Sequence, residues 1–394
     1  GYPSGTAGGL TLKGHPEWEV HGLLCNDVKT DGGAVNVKVP GGNLILAAAY
    51  PETNGQIDPA KGVDLSASVS NNVLAWQAPA GHWRIVVVAE DRLYENTFNA
   101  VSLGDKLPYI NLLMPEPTDR FIELTHQAYA YHLGDDLGKW FVSTFTDEPS
   151  LMNRFVTKSE FRGLPWSPNL PVEFKKHRGY DLEPMIPFLV TESGVKGKKV
   201  RYDFWQTIGE LVSENYFGRI QDFCHKHNFS SGGHLIEEEP ILDHVALYGN
   251  FFSCIRKLDA PSMDCLTSNP TEVPWQVARL ISSAAELENR NTTMCETSDF
   301  SQIYRTPEDK RPVYTVSEDE IRGTCNRLLL GGIYTITSYY TFMNITGSKL
   351  RRLNEWVGRC STMLSGGHRT ADIAVLYPTE SIWPKFIPAR VGTT

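Results

Sequence analysis

The chain has 394 residues, 41% of them hydrophobic, and a formal net charge of -9. This is enough apolar content for a sizeable core, and the negative balance speaks against nucleic acid as a partner. No apolar run reaches the roughly 18 residues that a membrane-spanning helix needs, and no basic lipid-binding cluster is present. The length exceeds one average domain and matches a βα barrel with an insertion.

Residues 1–14 read as a Gly-rich loop. From about residue 20 to 109 the pattern is antiparallel β: apolar runs at 35–39, 44–47 and 83–88 are separated by Gly, Pro and Asn. After that the rhythm is βα. A helix is predicted from near Pro115, with Phe121, Leu124, Thr125, Ala128 and Tyr129 on one face, and a strand follows that ends at Asp147. A long helix over about 201–227 carries Phe204, Ile208, Leu211 and Ile220 on its apolar side. Strands are expected at 231–236, 250–255, 262–266, 292–295 and 332–337, and helices at 272–288, 318–330 and 349–364. A last apolar run at 371–377 reads as the first strand of a further domain.

That makes six βα strands where a barrel needs about eight. The expected fold is α/β, a (β/α)8 TIM-type barrel whose first two strands precede Gly1. The boundaries are a barrel loop over 1–19, an inserted antiparallel β domain over 20–109, the barrel over 110–368 and the start of another domain over 369–394. The alternative is an open doubly wound sheet, which the absence of a Gly-rich phosphate loop disfavours.

Seven cysteines are scattered without a CxxC pair. Three of them, Cys254, Cys265 and Cys295, lie in or beside predicted strands, which fits reduced, packed thiols and favours a cytoplasmic setting over a secreted or periplasmic one. No initiator Met or signal peptide opens the sequence, so the chain is expected to begin partway through a domain.

Acidic residues follow three of the predicted strands: Asp147-Glu148-Pro149, Glu237-Glu238-Glu239 and Glu296. A carboxylate at the carboxyl end of a barrel strand is the usual position for catalysis, and two carboxylates across one cavity are the standard equipment for glycosidic bond cleavage. One protonates the leaving oxygen; the other attacks the anomeric carbon or activates water. On the expected numbering they follow strands three, four and seven. Barrel glycosidases of the largest clan carry their acid/base after strand four and their nucleophile after strand seven. Each cluster also has a structural alternative: a solvated helix start for the triplet, an ion pair for Glu296 and a loop acid for Asp147-Glu148. Which member of the triplet faces the cavity stays open on spacing alone.

His234, Arg256 and Asp264 are further polar candidates at strand ends, and Tyr339 and Tyr340 after the last strand are candidates for a sugar platform. With Asp147 and Glu237 they complete the expected substrate-binding set. No His cluster has metal spacing, and no GxSxG nucleophile elbow is present.

Several short motifs resemble bacterial glycosidases related to the α-L-rhamnosidase family of large multidomain barrel enzymes. They are Gly1-Tyr2-Pro3-Ser4-Gly5, Phe145-Thr146-Asp147-Glu148-Pro149, Phe174-Lys175-Lys176-His177-Arg178-Gly179-Tyr180-Asp181-Leu182, Gly233-His234-Leu235-Ile236-Glu237-Glu238 and Cys295-Glu296-Thr297. The resemblance implies exo-cleavage of a terminal sugar, with three glutamates carried over as Glu148, Glu238 and Glu296. It also implies a calcium ion whose ligands it does not place; nothing in the residues themselves requires a cofactor. The expected partner is a carbohydrate substrate, not nucleic acid or a membrane. The competing readings are a carbohydrate-binding barrel without catalysis and a different barrel enzyme such as a lyase or isomerase.

Overall fold

The structure is a computed structural model that describes residues 10–93, 109–151, 160–303, 310, 315–340, 345–367 and 370–388. Eight strands form in its first part: β1 (His21–Thr30), β2 (Gly33–Lys38), β3 (Asn43–Thr53), β4 (Gln56–Ile57), β5 (Val63–Asp64), β6 (Val69–Ser70), β7 (Val73–Ala78) and β8 (Trp83–Arg92). All their pairings are antiparallel. The period-two alternation of β8 explains how they stack. Ile85 and Val87 face a small core with Val37 and Leu74 of the β2-β7-β6 sheet. Val86 and Val88 face the other way, into the main core with Leu164, Val190 and Phe204.

This β unit is joined by a strand from outside residues 20–109. A strand from beyond the first parallel strand, β10 (Arg162–Trp166), pairs with β1 at its edge. Its Arg162 guanidinium forms an ion pair with Asp27 and donates to Val190 O at 2.9 Å. Short apolar runs such as Leu164-Pro165-Trp166 are too brief for periodicity to classify, so this strand was not expected.

The second sheet is parallel: β9 (Thr146–Asp147), β11 (Gly232–His234), β12 (Ala260–Cys265), β13 (Met294–Thr297) and β14 (Thr335–Ser338). Its spatial order is the chain order, without a reversal. A doubly wound sheet reverses its strand order at a switch point, and these five strands do not. Helices alternate with them, including Trp275–Leu287, Glu318–Gly331 and Ser348–Leu364. The first of the three buries Val277, Ala278, Ile281, Ala284 and Ala285, and a capping box of Ser317 and Glu320 starts the second. The molecule is therefore a mixed α/β fold, and no helix among the described residues is long and apolar enough to cross a membrane. Six of the seven cysteines are buried.

Two expected strands are absent. Residues 250–255 form the helix Phe251–Ile255 because the Asn250 side chain caps it, accepting from Ser253 N at 3.1 Å. The parallel sheet thus has five described strands where six were expected; Glu148 and Glu238 follow the first and second of them, and Glu296 lies within the fourth. Residues 371–377 form no strand; Ile373, Val375 and Leu376 are exposed, and an extended segment without a neighbour to pair with does not become a strand. The long helix also begins earlier, at Gly194, and passes through a π-turn at Ser213–Gly218 before Arg219–Lys226. The turn buries Tyr216, whose hydroxyl lies 2.9 Å from Thr146 Oγ1 beneath β9.

His126 starts the helix His126–Leu133, packed edge-on against Phe121 and Phe223, and burial lowers its pKa to about 4. A depressed histidine pKa means that the unfolded chain binds the extra proton first. Its contribution is complete above the unfolded value of 6.5 and is lost as pH falls towards about 4. His126→Phe should flatten that loss: between pH 6.5 and 4.5 its stability by urea titration should fall less than that of the parent, by roughly 2 kcal/mol. Parallel curves would contradict a neutral buried ring.

Candidate active site

The site begins with a glycine. In β11, Gly233 adopts a φ of +148°, and a Cβ there would stand 2.2 Å from Thr146 O. Only glycine lets β11 approach β9 this closely, which sets His234 beside Asp147 in register. On the other side of β11, Asp264 of β12 is in register with Glu296 of β13. His234 and Asp264 therefore project at strand ends beside the other acidic groups.

Glu148, directly past β9, and Glu237, in the loop after β11, turn the chain with left-handed backbones, φ 49° and 58°. Two non-glycine residues in that region at adjacent strand ends are a costly arrangement, of the kind that clusters at functional sites. Glu148 N donates to His234 O at 3.2 Å, binding the two turns together.

Within the triplet the carboxyls separate sharply. Glu238 is 4% exposed, Glu237 is half-buried and Glu239 is exposed. Glu238 Oε1 accepts from Leu235 N at 3.3 Å, and Oε2 accepts from Asp264 N at 3.0 Å. Burial nevertheless raises its pKa well above the ordinary carboxylate value, with the His234 charge and the two backbone donors opposing. Burial thus favours the protonated form of Glu238, while His234 and the two backbone donors favour the charged one.

His234 occupies the centre, 2% exposed, with the Phe145 ring edge-on at 5.3 Å. Its Nε2 lies 3.2 Å from Asp147 Oδ1, and its Nδ1 lies 3.8 Å from Glu296 Oε2. Burial alone would lower its pKa; the hydrogen bond to Asp147 and the surrounding acids outweigh it and raise the ring to about 9. An imidazolium therefore sits among five acids. Burial raises Glu148 to about 7, with His234 opposing and Asp147, Asp264 and Glu237 adding to the rise. Asp264 is raised to about 6 by burial and by Glu296, against the pull of His234.

Of the expected residues, Glu148, Glu238, Glu296, Asp147, His234 and Asp264 come together, and Glu237 stands at their edge. Tyr339 joins them: it is 46% exposed and lies close enough to Asp264, Glu296 and Glu148 that they add to the burial raising its hydroxyl pKa. Two expected residues lie elsewhere. Arg256 follows a helix at the opposite end of β12 and pairs with Glu288 there, because the segment before it is helical. Tyr340 is 6% exposed in a core with Val316 and Ile321, its hydroxyl 3.1 Å from Thr297 Oγ1. Consecutive residues past a strand face opposite ways, so only one of the tyrosines reaches the site. Phe145, Tyr248 and His244 were not expected. Tyr248 donates to Ile236 O at 3.0 Å, and no local spacing signals that contact.

Glu148, His234 and Asp264 each place one ligand atom within 4.8 Å of the others. Asp264 Oδ1 is buried without a hydrogen-bond partner. Calcium takes about six to eight oxygens. The two carboxylates fit such a shell, and a divalent cation would offset their crowding; the imidazole, already held by Asp147, does not belong to an oxygen shell.

A parallel α/β sheet with a buried glutamate and further carboxylates at its strand ends is an arrangement that enzymes acting on sugars use. The family model for alpha-L-rhamnosidase of glycoside hydrolase family 106 matches residues 43–390. The chain belongs to this family of glycoside hydrolases. A curated protein of Formosa agariphila named "Putative beta-glucuronidase" is 26% identical over 168 residues, covering 42% of this chain and 14% of that protein. A solved rhamnosidase from Novosphingobium sp. PP1Y superposes with a TM-score of 0.54 at 18% identity, over 79% of this chain and 31% of its own, a likeness of fold. The chain spans less than a third of the length of either relative.

Proposed function

We propose that the chain carries the active site of a glycoside hydrolase that removes a terminal, α-L-rhamnoside-like sugar. The observation behind this reading is geometric: the buried Glu238 carboxyl accepts from Asp264 N at 3.0 Å, and Asp264 is in register with Glu296 on the neighbouring strand. Glu238 gives its proton to the glycosidic oxygen as the bond to the anomeric carbon breaks. Glu296 either attacks that carbon or takes a proton from the water that does. Glu148, Asp264 and Tyr339 are placed to grip sugar hydroxyls, and His234 holds Asp147 and Glu296 by charge. In this reading the five parallel strands belong to a (β/α)8 barrel, supported by their unreversed order. A calcium ion held by Glu148 and Asp264 would supply positive charge for orienting vicinal hydroxyls.

The test is a panel of aryl glycosides. Release from the aryl α-L-rhamnoside above all others is expected. Sugar binding without release from any member would instead make this a carbohydrate-binding barrel, and release only from the β-glucuronide would move the substrate class. Dialysis against EDTA should cut the release at least about 10-fold, with calcium restoring it and magnesium not. Unchanged turnover after chelation would remove the ion from the account.

A further inference from the structure

The residues past 370 reach the rear of the site through a single hydrogen-bonded chain. Trp383 Nε1 donates to Gly249 O at 2.7 Å, Arg201 Nε donates to Pro384 O at 2.8 Å, and Phe386 packs edge-on against Trp205 at 5.1 Å. So anchored, the segment sets the Tyr377 hydroxyl 2.7 Å from His244 Nδ1. His244 lies on the helix Ile241–Tyr248, 2% exposed, stacked on Phe251 with ring centroids 4.2 Å apart. Its Nε2 is 2.9 Å from Glu238 O. A carbonyl only accepts, so Nε2 carries the hydrogen and Nδ1 bears the lone pair, which the tyrosine hydroxyl must fill. Both ring nitrogens are thereby fixed in one tautomer and one orientation.

Glu238 is consequently held from two sides. His244 fixes its backbone carbonyl, and Leu235 N and Asp264 N fix its carboxyl oxygens. We propose that Tyr377 and His244 are positioning residues that lock Glu238 in the orientation from which it delivers its proton, which makes the segment past residue 370 a working part of the site. Neither side chain is assigned contact with the sugar. Their effect is geometric: a misplacement of an acid by about 1 Å costs as much as 10²-fold in rate. The inference rests on the reading of Glu238 as the acid.

Tyr377→Phe removes one hydroxyl and keeps the ring beside Phe252, and His244→Gln keeps an N–H that reaches the Glu238 carbonyl while His244→Ala does not. On an aryl glycoside with a poor leaving group, Tyr377→Phe and His244→Ala should lower kcat between about 10-fold and 100-fold with KM nearly unchanged. An activated aryl leaving group, which needs little protonation, should restore both, and His244→Gln should recover most of the parent rate. Amide hydrogen exchange at Leu235 and Asp264 should quicken in the first two variants, a readout independent of turnover. Glu238→Gln is measured beside them. If Glu238→Gln is impaired while Tyr377→Phe and His244→Ala match the parent in kcat and in exchange, the positioning proposal is overturned alone. If Glu238→Gln keeps full turnover, the acid assignment fails, and the exchange rates still decide whether the clamp holds that carboxyl. Equal losses on both leaving groups would also overturn the proposal, since they mark a general structural defect.

Discussion

Glu238→Gln lowers turnover of an unactivated aryl glycoside by roughly 10²-fold or more, with the fold intact, if Glu238 is the acid. The swap keeps the shape and deletes the proton. Its structural cost is bounded: one of the two backbone donors, Leu235 N or Asp264 N, then faces an amide nitrogen instead of an oxygen, worth about 1 kcal/mol. Glu296→Gln should lose turnover by a similar factor, for it deletes the charge that attacks carbon or water. The two losses differ in their response to the leaving group. An activated aryl group rescues the Glu238 variant and leaves the Glu296 variant slow. Near-normal turnover of Glu238→Gln on every substrate would reduce the triplet to a helix start, and Glu148, with its pKa raised to about 7, would become the leading acid.

Gly233→Ala is the most damaging small substitution the fold offers. The new Cβ would stand 2.2 Å from Thr146 O, and the residue keeps a φ of +148° that a side chain rarely adopts. The clash is with backbone, so β9 and β11 have to part, and the register of Asp147 with His234 parts with them. A loss of at least about 3 kcal/mol is expected from urea unfolding. Gly358→Ala is the matched control. It lies within the helix Ser348–Leu364 with open space at its Cβ, and should gain up to about 1 kcal/mol. A Gly233→Ala protein as stable as its parent would mean that the two strands do not approach as described.

The features legible in the sequence were those with a strong local pattern. The β-branched run Ile85-Val86-Val87-Val88 in β8, the apolar face of Trp275–Leu287 and carboxylates after short apolar runs all carried their structure with them. What was not legible depended on contacts distant in sequence. Residues 250–255 read as strand by their apolar run, yet one Asn250 cap made them helix and removed Arg256 from the rim. Spacing left Glu237, Glu238 and Glu239 equivalent; burial of the middle one comes from the left-handed turn at Glu237 and from the helix that follows. Tyr339 and Tyr340 looked alike as platform candidates until the side chains alternated, one toward the site and one into the core with Ile321. The bond between Tyr377 and His244 spans 133 positions, and no short-range pattern encodes it.

The central claim is that Glu148, Glu238 and Glu296 serve one sugar ring, and a crystal structure with bound L-rhamnose tests it most directly. The account predicts the ring on the strand-end rim, its hydroxyls within hydrogen-bond reach of Glu148 and its anomeric carbon between the carboxyls of Glu238 and Glu296. The same coordinates would divide the two chemistries, a carboxyl separation of about 5 to 5.5 Å marking retention and about 6.5 to 9.5 Å inversion. A sugar seated away from these three carboxyls would contradict the account.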